Sequence, residues 1–296
     1  LYDAPVVQAQ PTSEYLEDCL SRRLIFFTGK GGVGKTTLAW ATALACRRRG
    51  RRVVVASWNP LGSDSIEPPF QSAGIESVHL ETLSAFREYT LHLIRFDTLY
   101  NAVFDNYVLK TFVMVAPGLS ETVIAGKVWD LFQRDTIDLV IVDLPSSGHA
   151  VSFFNSPIGV RKIFTVGFVS RETDKILGMF QSDLSRVDLV TLPEELPLVE
   201  SRQLKEDLQR LQPFHFGYLH VNQCTPHLPL PGDETLRQLE EPVASALARY
   251  RARVQHEDEA MGLADEVGLR QNRIPRFATE QLRASVTEVA DFLERA

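Results

Sequence analysis

Cysteine and methionine are both scarce in this chain, three of each in 296 residues. Cys19, Cys46 and Cys224 form no CxxC pair. That pattern argues against a disulfide-stapled fold and against a thiolate zinc site, and it suits a reducing compartment, so a cytoplasmic protein is expected. The first twenty residues lack a basic start followed by an apolar run and do not read as a signal peptide. No stretch approaches the roughly 18 apolar residues of a membrane span. Positive charge is in deficit as well: 31 Lys and Arg stand against 38 Asp and Glu, a formal charge of −7. Neither nucleic acid nor anionic lipid is therefore expected as a general partner. The one dense basic run, Arg47-Arg48-Arg49-Gly50-Arg51-Arg52, reads as a solvated helix end, where cations interact well with the dipole. Internal repeats and low-complexity tracts are missing too. What remains is ordinary globular composition, 44% hydrophobic and 23% charged, in a chain long enough for one large α/β domain or two small ones.

The apolar residues are distributed as strands alternating with helices. Leu24-Ile25-Phe26-Phe27-Thr28 is a continuous apolar run, the mark of a parallel strand buried on both faces. Val53–Ala56, Ile137–Asp143, Val187–Leu192 and Phe216–Val221 are further strand candidates. Thr36–Arg49, rich in Ala and Leu and followed by Gly50, reads as a helix. Residues 1–13 read as a lead-in, Thr12-Ser13-Glu14 offer caps for a short helix ending near Ser21, and Thr279–Ala296 reads as a closing helix. Between Gly74 and Gln133 the pattern is more helical than strand-like. Leu83, Phe86, Tyr89, Leu93 and Phe96 recur at three- and four-residue steps, which predicts an amphipathic helical subdomain inserted over about 74–133. The whole predicts an α/β fold: one domain over 21–296, built on a doubly wound, mostly parallel sheet.

The segment between the first strand and the first long helix carries the chemistry. Gly29-Lys30-Gly31-Gly32-Val33-Gly34-Lys35-Thr36 fits G-x-x-x-x-G-K-[ST] and has the strand–loop–helix context that the motif requires. Glycines let the loop take φ > 0 and bring backbone N–H groups close to phosphate oxygens, and the helix N-terminus through Thr37 adds its positive end. Lys35 is expected to reach the β/γ-phosphates and the Thr36 hydroxyl to ligate Mg²⁺. Asp143, at the end of a buried strand, is a second candidate for the Mg²⁺ shell. The predicted cofactors are therefore ATP and Mg²⁺.

Lys30 goes beyond the plain pattern. With Lys as its first variable residue, Lys-Gly-Gly-Val-Gly-Lys-Thr-Thr resembles the deviant Walker A class of MinD, ParA, the nitrogenase iron protein and the ArsA ATPases. The resemblance implies that Lys30 reaches across a dimer to the partner's nucleotide, neutralising charge as an arginine finger would; a solvated loop lysine is the plain alternative. Further segments resemble the ArsA-like branch, which includes arsenite-pump and tail-anchored-protein targeting ATPases. Asp143-Leu144-Pro145-Ser146-Ser147-Gly148-His149-Ala150 is similar to its switch II, and Ala116-Pro117-Gly118-Leu119-Ser120-Glu121 to the segment before it. Thr191–Glu200 is similar to its strand-to-helix turn. The likeness implies that Gly148 lies near the γ-phosphate, that Asn222 of Val221-Asn222-Gln223 reads adenine, and that Pro275 and Phe277 of Ile274-Pro275-Arg276-Phe277 close over the base. With no His or Cys nearby, His149 is expected to be a hydrogen-bonded switch-loop residue rather than a metal ligand.

Two departures from the branch matter. Its switch I places a catalytic Asp where Ser57-Trp58-Asn59-Pro60-Leu61-Gly62-Ser63-Asp64 has Asn59. An amide can hold the attacking water but cannot take its proton, and lost general-base help slows a reaction ~10²–10⁴-fold. Slow natural turnover, a partner that supplies the missing group, and a deliberate Asp→Asn substitution all fit; the first two are favoured, and a register shift onto Asp64 is a further option. Tail-anchor targeting relatives also use a Met-rich groove, whereas Met114, Met179 and Met261 are the only methionines here. Phe104, Tyr107, Val108, Phe112, Val113 and Val115 are more simply core residues than a client groove.

The expected protein is thus a dimerising, ArsA-like ATPase with Lys30, Lys35 and Asn59 in its catalytic apparatus. Its partner would be a second copy or a related ATPase, and a protein client is allowed. Membrane contact is allowed but not indicated. A MinD- or ParA-like positioning ATPase, or a hydrolysis-deficient nucleotide-locked interaction subunit, are the competing expectations.

Overall fold

A computed structural model describes residues 14–58, 73–82, 118–229, 240–278 and 281–295. The predicted apolar runs become strands: β1 Leu24–Gly29, β2 Val53–Ser57, β4 Leu139–Ser146, β5 Ser185–Thr191 and β6 Phe216–Cys224. Two more strands, β3 Glu76–His79 and β7 Arg270–Pro275, complete one seven-stranded sheet in the order β3-β2-β4-β1-β5-β6-β7. Every pairing is parallel. Among the described residues there are eight helices: α1 Tyr15–Ser21, α2 Lys35–Arg48, α3 Leu119–Gln133, α4 Ser147–Ile163, α5 Phe168–Phe180, α6 Glu195–Leu211, α7 Glu241–Glu266 and α8 Leu282–Glu294.

Period-two alternation decides which strand residue faces which helical layer. Phe26, Val54, Ala56, Val140, Val142 and Leu189 face one core with Ile124, Phe153, Ile176 and Leu204 from α3, α4, α5 and α6. Ile25, Phe27, Val53, Val55, Ile141 and Val190 face the other with Leu38 and Ala41 of α2 and Val286 and Leu293 of α8. Both faces of the sheet are therefore covered, and β1 is buried along its whole length. Alanines 39, 41, 43 and 45 are fully buried, so α2 presents small side chains to its surroundings. On the opposite layer Phe26, Phe153, Phe154, Phe180 and Phe214 form an aromatic nest, with Phe154 and Phe214 ring centroids 4.8 Å apart and Phe26 and Phe154 5.2 Å apart.

Several sequence expectations are corrected. Glu76–His79 is a strand, although it lies in the stretch read as helical; Leu119–Gln133 at the far end of that stretch is a helix. The stretch between them that carried the predicted helical insertion lies outside the described residues, as do Asn59 and the lead-in. Glu14 precedes α1 without a side-chain capping bond. The closing helix starts at Leu282 rather than 279. Ile274 and Pro275 belong to β7 rather than to a loop.

Candidate functional site

β1 lies between β4 and β5: the connection from β1 leads to β2 on one side, whereas that from β4 crosses to β5 on the other, and this reversal opens a crevice at the C-terminal end of β1. The glycine loop fills that end. Gly29 has φ 148°, and a Cβ there would lie 2.1 Å from the Val190 carbonyl oxygen of the neighbouring strand. Gly34 has φ 94°, and its Cβ would meet the Asn222 side-chain nitrogen at 2.2 Å. Close approach of the chain on both sides thus demands glycine at these two positions. Gly31 and Gly32 differ: a Cβ on either would meet nothing within 4 Å. Gly31 and Gly32 are exposed, whereas Val33 is anchored in the core.

α2 begins at Lys35, which places Lys35, Thr36 and Thr37 on its first turn with free backbone N–H groups. The Lys35 ammonium donates to the Lys30 carbonyl at 2.8 Å, closing the loop on itself. Burial lowers the Lys35 pKa, against the opposing pull of Asp143. Strand register brings Asp143 opposite Phe27, beside the loop. The Thr36 hydroxyl donates to Asp143 Oδ2 at 2.6 Å. Asp143 Oδ1 is buried and has no hydrogen-bond partner among the described residues. Burial pushes the Asp143 carboxyl up to about 6, although the Thr36 hydrogen bond and the Lys35 charge pull the other way. A hydroxyl and a carboxylate in contact, with one buried carboxylate oxygen unused, suit a hard, oxygen-loving divalent cation. The donor set fits Mg²⁺.

Lys30 ion-pairs within its own chain, its ammonium 2.9 Å from Glu200 Oε1 on α6, with both side chains more than a third exposed. Glu200 was not singled out by sequence as a partner of Lys30, because 170 residues separate the two. Asn222, expected to read a base, donates to the Val33 carbonyl at 2.8 Å and so braces the loop from β6. Gly148 and His149 open α4 and are both exposed. The His149 ring meets Trp58 edge-on at 6.4 Å, and Trp58 also packs on Phe153 at 5.7 Å. Trp58 N–H donates to the Asp143 carbonyl at 3.1 Å, so the residue preceding Asn59 is tied to both β4 and α4. Pro275 ends β7, and the half-buried Phe277 packs against the α2-side core. A cleft of about 570 Å³ lies elsewhere, between the start of α6 and α7, lined by Pro193, Glu194, Arg253, His256 and Ala260. None of its lining residues belongs to the glycine loop.

Residues 22–183 match the family model described as anion-transporting ATPase. Over 230 residues the chain is 25% identical to ATPase BagA of Mycobacterium tuberculosis, covering 69% of this chain and 66% of that protein. It is 26% identical over 188 residues to a putative arsenical pump-driving ATPase 1 of Aquifex aeolicus, covering 58% and 47%. It is 24% identical over 148 residues to the arsenical pump-driving ATPase of Escherichia coli, covering 45% and 25%. The match thus spans less than two thirds of these relatives' own lengths.

Proposed function

The chain belongs to the anion-transporting ATPase family, and on that premise we propose that it binds ATP with Mg²⁺ at Gly29–Thr37 and hydrolyses it slowly, or with a partner's help, as a nucleotide-dependent dimer. One observation carries the reading. Thr36 and Asp143, 107 residues apart, are in hydrogen-bond contact at the end of β1, next to Lys35, whose ammonium bonds the Lys30 carbonyl of the glycine loop. The backbone amides of residues 31–36 and the Lys35 ammonium bind and orient the triphosphate. Thr36 and Asp143 hold Mg²⁺, which shares the phosphate charge when bound. Gly31 and Gly32, which nothing in the chain crowds, leave room for phosphate oxygens at the loop's outer face. The base lies toward the C-terminal ends of β6 and β7, near Asn222, Pro275 and Phe277.

Lys30 completes the site in a second protomer, and to do so it leaves Glu200. Asn59 orients the attacking water without accepting its proton, which keeps intrinsic turnover low. The nucleotide state acts on the dimer, and through it on a protein client. A second reading, a nucleotide-locked interaction subunit that barely hydrolyses ATP, draws on the same residue, Asn59.

Calorimetry and steady-state ATPase assays on the unaltered chain, Lys35→Ala and Asn59→Asp test these readings. Lys35→Ala is expected to weaken ATP–Mg²⁺ binding ~10–100-fold, the scale of hydrogen bonds to charged groups. Asn59→Asp is expected to raise turnover ~10²-fold or more. No nucleotide uptake by the unaltered chain would overturn the proposal, and brisk turnover would eliminate the interaction-subunit reading.

A further inference from the structure

The turn between α4 and α5 exposes apolar side chains in a way that no other short segment of the described residues does. Ile163 is 75% exposed, Phe164 41%, Val166 82% and Val169 37%, all within seven consecutive residues. The other exposed large hydrophobics, Leu184, Leu196, Leu228 and Val243, fall one to a segment, which is ordinary for a protein surface. Contiguous apolar exposure of this kind marks a contact site. The turn is the reversal between two helices.

The charges around it point to the occupant. Residues 161–175 hold four cations and two carboxylates, in a chain whose net charge is −7. Both carboxylates are paired within the hairpin: Asp174 accepts from Arg161 at 2.6 Å, and Glu172 from Lys175 at 2.6 Å. Lys162 and Arg171 flank the apolar residues on either side and have no ion-pair partner among the described residues. An apolar tip flanked by two cations that have no ion-pair partner among the described residues matches a bilayer interface, where hydrocarbon takes the tip and anionic headgroups take the cations. An apolar polypeptide would leave Lys162 and Arg171 without partners.

We propose that the α4–α5 turn, residues 161–171, docks on an anionic lipid surface: Ile163, Phe164, Val166 and Val169 enter the interface, and Lys162 and Arg171 meet the headgroups. α4 starts at Ser147 beside the phosphate crevice, and its 17 residues put its other end about 25 Å away at 1.5 Å per residue. The docked turn therefore leaves the crevice open.

Co-sedimentation of the nucleotide-free protein with phosphatidylcholine vesicles, with and without phosphatidylglycerol, tests the assignment. Binding is expected only to the anionic vesicles, and it should weaken as salt is raised. Val166→Asp, which adds one negative charge and removes an apolar contact, and Lys162→Glu, which reverses a charge, should each weaken vesicle binding ~10-fold or more. Circular dichroism of both variants checks that the fold persists, as exposed sites allow. Absence of binding to anionic vesicles overturns the proposal, and so does equal binding by Val166→Asp. Protection of the turn by a soluble apolar peptide, without vesicle binding, would assign it to a protein partner instead. Because no nucleotide is present, this result and the ATP-binding result fail independently.

Discussion

At the residue scale, Asp143, proposed above to hold the cation, costs stability. Its carboxyl is 8% exposed and is pushed up to about 6 by burial, so folding disfavours the charge that a cation needs. One oxygen is satisfied by Thr36 and the other is left over. Asp143→Asn removes the charge and keeps the size and the acceptor for Thr36. The variant is expected to melt higher than the unaltered chain without Mg²⁺, by the equivalent of ~1–3 kcal/mol for about two pKa units, and to lose the Mg²⁺ dependence of ATP binding. Thermal melts paired with calorimetry read both effects. A lower melting temperature would show Asp143 to be a structural carboxylate. Lys35 shows the same conflict in milder form, its pKa lowered by burial.

At the element scale, the β1–α2 connection separates glycines the fold requires from glycines a ligand would require. A methyl group at Gly29 would sit 2.1 Å from the Val190 carbonyl, on backbone that cannot swing aside, at φ 148°. Gly29→Ala is therefore expected to destabilise the protein by ~2 kcal/mol or more, from overpacking and backbone strain together. Gly31→Ala adds a methyl that nothing in the chain touches; it should leave the urea midpoint nearly unchanged while weakening nucleotide binding. Urea titrations of the two variants, followed by nucleotide binding on Gly31→Ala, separate the cases. If Gly31→Ala binds ATP normally, the phosphates do not use that face of the loop. α2 follows from this arrangement. Its first turn carries Lys35 and Thr36, and its alanines are buried.

At the scale of the whole molecule, one buried polar cluster ties the β5–β6–β7 side of the sheet to α1. Arg186 Nη2 donates to Asp188 Oδ2 at 2.9 Å and to the Cys19 Sγ at 3.1 Å, and Nη1 reaches Asp18. Asp188 also accepts from Tyr218 N–H at 3.1 Å and from His220 Nε2 at 3.3 Å. Asn272 Nδ2 lies 3.3 Å from His220 Nδ1. A donor on one ring nitrogen and an acceptor on the other need the neutral imidazole. Burial lowers the His220 pKa against the pull of Asp188. Burial would raise Asp188, but the Arg186 charge and the His220 hydrogen bond outweigh it and hold it below the ordinary range. The signs agree. Below about pH 6.5 the unfolded chain takes up the histidine proton first, so stability falls as pH drops. The Asp188 contribution is present above about pH 4 and is lost only as pH falls through its still lower folded value. His220 should therefore pull the melting temperature down between pH 7 and pH 5, against the opposite pull of Asp143, and His220→Gln, which keeps a donor toward Asp188, should remove that downward pull. The difference between the two chains isolates His220, because Asp143 contributes equally to both. The same pH dependence in the variant would remove His220 from the account.

The glycine loop, the five strands from β1 to β6 that carry apolar runs, and α2 were legible in the sequence, because continuous apolar runs and a phosphate motif with its flanks depend on local pattern alone. β3 and β7 were not. Both are edge strands, and Glu-Ser-Val-His and Arg-Gln-Asn-Arg-Ile-Pro carry too few buried positions to leave a periodic signal. α7 escaped for a related reason, since only Ala260 and Ala264 of its 26 residues are buried. The sequence by itself determined the family, the parallel sheet and the loop, each a matter of short-range residue order. Tertiary structure alone decided that Lys30 meets Glu200, that Asn222 braces the loop, and that Thr36 touches Asp143. It also decided that Ile163, Phe164, Val166 and Val169 face solvent, because contacts between residues far apart in the chain, and the exposure that follows from them, are set only when the layers pack.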